Sequence, residues 1–210
     1  MDQIALEEEL KKRLPLGYRW GRKQNNSWDQ QSRFIYSTKT VAELQQRVQG
    51  LSPELRNYAL NRWFNYWSAM GVERIFCTHS NVTAHTNQYD KLIDFRIEGI
   101  PFDHKTSVFP RGFGHNIDYA QGHKRELIQW LYRNQSQQGR KHLKNRLFIV
   151  LYDANNEHWK LKAELTLLRT VIDDYIRSFD PNTLEVFDFG QGRVLSDILW
   201  LRKEKKGPLR

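Results

Sequence analysis

Two aspartates and a lysine around a predicted turn are the residues of this chain best suited to chemistry. Asp94 precedes the dipeptide Glu98-Gly99, and Asp103 and Lys105 follow it. Apolar and polar residues alternate on both sides of the dipeptide, which predicts a β-hairpin with a two-residue turn. In that register Asp94 lies directly opposite Asp103, and Lys105 lies on the same face two residues further on.

Two carboxylates that face each other across a hairpin need a positive charge between them, because like charges directly opposite destabilise a sheet. A lysine or a divalent cation supplies that charge, and Mg²⁺ binds carboxylate oxygens together with water and substrate phosphate. A neighbouring lysine can orient the attacking water or stabilise charge on the phosphate. The pattern therefore favours metal-assisted phosphodiester hydrolysis over its alternative, a solvent-exposed face whose charges have no function.

The elements that must position these residues indicate a mixed α/β protein. Ser52-Pro53-Glu54 favours a helix start, and aromatic residues at helical spacing continue that helix to about residue 70, with Gly71 as its stop. A strand is predicted over residues 72–78, before the hairpin. The elements predicted after the hairpin are a helix over about 121–138, a buried strand over 146–152, a long helix over 157–179, and strands over 184–189 and 194–201.

The composition excludes several classes of protein. The 210 residues carry 33 Lys and Arg against 24 Asp and Glu, a net charge of +9, and 13% are aromatic, which argues against a disordered chain. A single cysteine excludes a disulfide scaffold and a thiolate zinc site. No stretch approaches the roughly 18 apolar residues of a membrane span, and the acidic N-terminal segment is unlike a secretory signal. We therefore expect a cytoplasmic protein without membrane contact, whose positive charge suits a nucleic-acid partner.

The segment IDFRIEGIPFDHK resembles the motif of the PD-(D/E)XK nuclease superfamily, whose fold is the restriction-endonuclease-like one. That family has a helix, a β-hairpin with Asp on one strand and Asp/Glu-X-Lys on the next, then a helix and a strand. Asp94 and Asp103-His104-Lys105 match this order, and the match covers roughly residues 52–152. The resemblance implies a mixed central sheet flanked by helices in a single domain over residues 51–210, with residues 1–50 as a polar N-terminal extension packed on it.

The same resemblance implies a role for each matching residue. Asp94 and Asp103 would bind Mg²⁺, which Mn²⁺ can replace, with the backbone carbonyl of His104 as a further ligand. Lys105 would act on the water and on the scissile phosphate. The implied function is that of a metal-dependent endonuclease, with DNA favoured over RNA. Because many relatives dimerise, the resemblance is also compatible with a homodimer.

The family often takes one more metal ligand from its first helix. Here the comparable helix offers Glu54 near its start, or Asn61 closer to the usual place of that acid. Because an amide at that place weakens metal affinity, a second function stays open. In this alternative the chain is a catalytically inactive nucleic-acid-binding protein on the same fold, with steeply salt-dependent binding and no turnover.

Residues after the hairpin are candidates for contact with nucleic acid. Arg111 lies in a glycine-rich loop that suits a phosphate, although a plain flexible connection is equally compatible with that sequence. Gln121, His123 and Lys124 lie near the start of the next helix, where relatives often place a polar residue near the site. His104 alternates onto the apolar face of the hairpin, which favours a core histidine over a ligand.

Overall fold

The computed structural model describes residues 1–17, 25–85, 93–134, 143–190 and 192–205. Its contacts divide the chain into two compact units, Met1–Val72 with Lys162–Thr166, and Glu73–Leu161 with Leu167–Arg210. The division predicted from the sequence, at residue 50, stays a prediction. Within the described residues, no helix is both long enough and apolar enough to cross a membrane.

The first unit is built from helices whose N-termini are capped by side chains. They are α1 (Gln3–Arg13), α2 (Asn26–Gln31), α3 (Val41–Val48) and residues 53–72 of α4 (Pro53–Phe76). Asp2, Asn25 and Thr40 accept backbone N–H groups at the starts of α1, α2 and α3, which satisfies donors that have no partner inside a helix. The core of this unit includes fully buried Trp63 and Phe64.

Helix α4 continues past its predicted end. The sequence places a stop at Gly71 and a strand after it, but the helix runs to Phe76. Gly71 fits inside the helix because it has no side chain: a Cβ at this position would stand 2.9 Å from Leu165 and 3.3 Å from Leu6. Val72, Ile75 and Phe76 are buried at helical spacing, so the apolar run predicted as a strand is satisfied by a helix.

We expect Gly71→Val to destabilise the protein by about 1–3 kcal/mol, because the added methyl groups overpack a closed helix contact. Urea denaturation measures the free energy of unfolding. Gly50→Val is the matched control, since nothing lies within 4 Å of a Cβ built at that exposed glycine. Wild-type stability in Gly71→Val would show that Leu165 and Leu6 move aside at no cost.

The second unit contains a six-stranded mixed sheet in the order β1-β2-β3-β4-β6-β5. The pairs β1–β2, β2–β3 and β5–β6 are antiparallel, whereas β3–β4 and β4–β6 are parallel. The strands are β1 (Val82–Ala84), β2 (Phe95–Ile97), β3 (Ile100–Val108), β4 (Arg146–Asp153), β5 (Glu185–Asp188) and β6 (Arg193–Lys203). The prediction of a mixed α/β protein with a mixed central sheet is confirmed, with β4 buried between two parallel neighbours.

Helices α5 (Ile117–Gly122) and α6 (Lys124–Asn134) connect β3 to β4, as a parallel pair requires. Leu127 and Leu131 of α6 are buried in one cluster with Phe148 and Ile198 of the sheet. The single helix predicted over 121–138 is interrupted at His123, and its last residues lie outside the described part of the chain.

The long helix predicted over 157–179 is shorter in the structure. A 3-10 segment spans His158–Ala163, and helix α7 covers only Leu165–Arg177. His158 is buried, and its Nδ1 accepts the backbone N–H of Asp153 over 2.7 Å at the end of β4. This contact ties the start of the predicted helix to the sheet.

Candidate active site at the β2–β3 hairpin

The hairpin turns at the predicted dipeptide. Glu98 and Gly99 have φ angles of 48° and 83°, the positive values of a type I′ turn between antiparallel strands. Ile97 pairs with Ile100, and Phe95 pairs with Phe102. The predicted register is therefore confirmed from the turn as far as Phe95.

The register changes at Asp94, one residue before β2. The Asp94 N–H donates to the carbonyl of Phe102 over 2.9 Å, although Phe102 already pairs with Phe95. Two successive residues thus face one residue of the next strand, as in a β-bulge, which bends the strand and re-aims a side chain. The ladder consequently ends before the predicted pairing of Asp94 with Asp103.

The re-aimed Asp94 carboxylate contacts His104. Its Oδ2 accepts the His104 backbone N–H at 2.8 Å and lies 2.7 Å from the ring Nδ1. Burial raises the pKa of Asp94, but the hydrogen bonds and charge of His104, together with Lys105, outweigh burial and hold that pKa below its usual range. Asp94 is therefore ionised at neutral pH and fixed in one orientation.

His104 is buried, as the sequence predicts for a core histidine. Its side chain stacks on Phe95 with ring centroids 5.9 Å apart. Within the described residues no partner reaches its Nε2. The ring thus serves as an anchor for Asp94 rather than as an inert part of the apolar face.

Helix α4 supplies a second acid that the sequence analysis did not single out. Burial and the neighbouring Asp94 carboxylate raise the pKa of Glu73, against smaller lowering effects of His104 and Arg74. With a helix end predicted at Gly71, Glu73 falls in the predicted strand over 72–78, and so it was not recognised as a residue of α4. The helical spacing of Val72, Ile75 and Phe76 is the sequence signal that would have extended α4 to it.

Asp103 faces a cation instead of Asp94. Its Oδ2 lies 2.7 Å from Nε and 2.5 Å from Nη2 of Arg146, the residue directly opposite on β4. The guanidinium also lies over the rings of Tyr132 and Phe148, at 5.7 Å and 5.9 Å from their centroids. Asp103 is therefore held in place by an ion pair that the sequence does not reveal.

Both aspartates keep one carboxylate oxygen clear of these contacts. All the hydrogen bonds above go to Oδ2, and no residue in the described part of the chain bonds to Oδ1 of Asp94 or Asp103. Lys105 is exposed, and it forms no ion pair with any described residue, although its charge acts on Asp94. The hairpin therefore offers two carboxylate oxygens and an ammonium group to a ligand.

The donor set of this site fits a hard cation. The described residues contain no group of three or more His, Cys, Asp or Glu side chains arranged to hold a metal ion. Mg²⁺, however, binds with one or two carboxylates and completes its shell with water and phosphate oxygens. Asp94 and the neighbouring Glu73 are the described carboxylates from which such a pair of ligands could come.

The ligands predicted on the first helix lie in the first unit. Glu54 is exposed in the first turn of α4, and Asn61 is buried, with its Oδ1 accepting a hydrogen bond from Arg13 at 2.7 Å. Their roles as metal ligands, and that of the His104 carbonyl, stay predictions.

The only cysteine of the chain, Cys77, lies next to this site, and its surroundings favour the protonated thiol. Burial raises the pKa of the Cys77 thiol to about 11, and the charges of Glu73 and Asp94 add to the effect. The thiolate is the reactive form, and at neutral pH the thiol stays protonated. The chemistry of the site therefore depends on carboxylates and an amine.

The predicted nucleic-acid-binding residues fall into two places. Arg111 is exposed in a 3-10 turn after β3. Gln121, His123 and Lys124 line a pocket of about 580 Å³ at the junction of α5 and α6. This pocket lies on the helices and not at the hairpin acids.

We expect Glu73→Gln to stabilise the protein at neutral pH, because burial and Asp94 disfavour the charged carboxylate. A raised pKa in the folded state means that the stability Glu73 contributes is present at about pH 4 and is lost as pH rises through the folded-state pKa. The free energies of unfolding of variant and wild type should thus agree at about pH 4 and separate, with the variant higher, at about pH 7.

Denaturant titrations at the two pH values measure this difference, with Glu8→Gln, an exposed acid of α1, as the control. A Glu73→Gln variant that is less stable than wild type at neutral pH would show that the carboxylate has a stabilising partner.

Comparison with protein-family models, with curated proteins and with solved structures finds no match for this chain.

Proposed function

We propose that this protein hydrolyses phosphodiester bonds of nucleic acid in a Mg²⁺-dependent reaction, with DNA favoured over RNA. The proposal is carried by one observation, the arrangement of charge at the hairpin. Glu73 and Asp94 are half-buried carboxylates, the charge of Asp94 helps to raise the pKa of Glu73, and Lys105 acts on Asp94 without an ion-pair partner in the described chain.

Two half-buried carboxylates are costly to keep together without a cation, since each loses solvation and repels the other. His104 and Lys105 more than offset that cost at Asp94, whereas Glu73 keeps a raised pKa. A site that retains such a pair at a cost in stability is a candidate for function. A divalent cation would remove the repulsion and gain two oxygen ligands.

The order of the elements also supports the proposal. Helix α4, the β2–β3 hairpin, helices α5 and α6, and the parallel strand β4 follow one another as in the PD-(D/E)XK pattern. Asp94, Asp103 and Lys105 match the motif in sequence, with Asp94 one residue before β2 and the other two on β3. Membership in that superfamily is part of the proposal.

Each residue has a defined task in this reaction. Asp94 and Glu73 would hold Mg²⁺, which would supply polarisation of the phosphate and a bound water of lowered pKa. His104 keeps Asp94 ionised and oriented, and Arg146 fixes Asp103 through its Oδ2. Lys105 donates to the scissile phosphate and stabilises the charge that develops there.

The alternative, an inactive nucleic-acid-binding protein, is favoured by a different observation. Arg146 neutralises Asp103, one of the two acids predicted to bind metal, through both Nε and Nη2. If that ion pair persists with substrate bound, the site keeps fewer ligands than the family pattern implies. Binding would then depend on the basic surface alone and fall steeply with added salt.

A cleavage assay on labelled single-stranded and duplex DNA and RNA separates the two. The nuclease predicts products with Mg²⁺ or Mn²⁺ and none with a chelator. The inactive protein predicts salt-sensitive binding, no products in either metal, and no heat of Mg²⁺ binding in calorimetry.

A further inference from the structure

The pocket at the junction of α5 and α6 is lined by groups of a nucleotide-binding type. It has a volume of about 580 Å³ and is bounded by residues 121–126, Gln129 and Glu185. The lining comprises an imidazole ring, two amide side chains, two cations and two carboxylates. Such a lining offers a flat ring and several hydrogen-bonding groups in one small volume, with its two cations balanced by two carboxylates.

The ring of His123 is held rigidly although it is exposed. It stacks on Tyr119 with centroids 3.9 Å apart and planes 7° apart, and Tyr119 stacks in turn on His115 at 4.0 Å. The Nδ1 of His123 lies 2.9 Å from the Tyr119 carbonyl oxygen, which can only accept, so Nδ1 donates. An exposed ring fixed by a stack and a hydrogen bond loses little entropy when a ligand packs on it.

Hydrogen bonds and ion pairs hold the polar side chains of the lining in place. Gln121 accepts a hydrogen bond from Arg202 on its Oε1 at 3.1 Å, which leaves its amide N–H groups for a ligand. Lys124 binds Asp197 at 2.9 Å, and Arg125 binds Glu185 at 2.8 Å. These ion pairs fix the two cations while each keeps further N–H donors.

Through its ion pair with Asp197, Lys124 also links the pocket to the sheet that carries the candidate active site. Its partner Asp197 on β6 pairs with Leu147 of β4, which pairs with His104 of β3. Because neighbouring strands lie about 4.8 Å apart, the backbone positions of Asp197 and His104 are about 10 Å apart.

We propose that the α5–α6 pocket binds one unpaired nucleotide of the nucleic-acid substrate. The base stacks on His123, its edge meets the amides of Gln121 and Gln129, and its phosphate meets Lys124. This inference rests on the proposed function and adds to it that the preferred substrate has a single-stranded segment. The chemistry is common to DNA and RNA.

Fluorescence anisotropy in a chelator, which prevents cleavage, tests the pocket with three labelled probes: oligo-dT and oligo-rU of about 12 nucleotides and a duplex of the same length. One base–ring stack corresponds to a factor of about 5–150 in affinity, so His123→Ala should weaken binding of the preferred single strand about tenfold. Duplex binding should change less than about twofold. Whichever of oligo-dT and oligo-rU binds with the higher affinity shows whether the nucleotide comes from DNA or from RNA.

Two further variants separate stacking from other effects. His79→Ala removes a histidine that does not line the pocket and whose Nε2 lies 3.0 Å from Asp173, and it should bind within about twofold of wild type. His123→Phe keeps the stacking face and should restore most of the affinity. Single-strand binding of His123→Ala at wild-type strength, or equal losses on single strand and duplex, overturns the inference.

The cleavage assay distinguishes this failure from failure of the proposed function. A wild-type protein that shows the expected binding pattern but cuts nothing with Mg²⁺ or Mn²⁺ supports the pocket and rejects the nuclease. A protein that cuts while His123→Ala binds normally rejects the pocket alone. Absence of binding to all three probes, together with absence of cleavage, overturns both.

Discussion

Lys105→Ala will lower the rate of Mg²⁺-dependent nucleic-acid cleavage by a factor of at least about 100. A preorganised donor aimed at developing charge is worth about 10²–10³ in rate, and the Lys105 ammonium is the donor that the hairpin provides. Because Lys105 is exposed and forms no ion pair with the described residues, its removal should change stability by less than about 0.5 kcal/mol. Loss of activity in a fully folded variant is therefore expected.

Single-turnover cleavage measures this rate, and urea denaturation of the same preparation confirms the fold. Lys39→Ala, which removes another exposed lysine without an ion pair to a described residue, is the matched control for general loss of positive charge. Asp94→Asn should reduce cleavage at least as strongly, since it removes a charged ligand and weakens the contacts to His104. Wild-type rates in both Lys105→Ala and Asp94→Asn would refute the assignment of the hairpin as the active site.

Arg146→Ala will destabilise the protein by about 3 kcal/mol. Removing one partner of a buried ion pair costs about 3–5 kcal/mol, because the remaining charge is left without compensation. The Arg146 and Asp103 side chains are 11% and 17% exposed, which places the expected loss at the lower end of that range. The guanidinium also packs over Tyr132 and Phe148, so the variant loses packing as well as charge.

Urea denaturation of Arg146→Ala, Asp103→Ala and the double variant measures the coupling between the two residues. The double variant should lose clearly less stability than the sum of the single ones, because each single change already breaks the pair. Arg193→Ala, at the exposed start of β6, is the control and should stay within about 0.5 kcal/mol of wild type. Additive losses would mean that the pair contributes no interaction energy.

The hairpin shows how far local sequence determines this site. Alternation of apolar and polar residues, with Glu98-Gly99 between the two runs, was sufficient to place the turn and the pairs next to it. These features depend on backbone conformations that are set by residues adjacent in sequence. The predicted pairing fails at Asp94, four residues before Glu98, because the position of Asp94 depends on the hydrogen bonds it makes to His104.

Helix α4 shows the same limit at a glycine. Gly71 is typical of a helix end when only its neighbours in sequence are considered. Its place inside the helix depends on Leu6 and Leu165, which pack where a side chain would stand. Glu73 follows Gly71, in the part of α4 that the sequence predicts as a strand.

The chain by itself determined which acids and which amine lie at the hairpin, and that the fold combines helices with a sheet. Tertiary structure alone decided which of these groups meet, since the bulge at Asp94, the approach of Glu73 and the pairing of Asp103 with Arg146 each require residues from separate elements. Turn geometry depends on adjacent residues, whereas charge pairing depends on strand order and burial, which arise only when distant segments pack together.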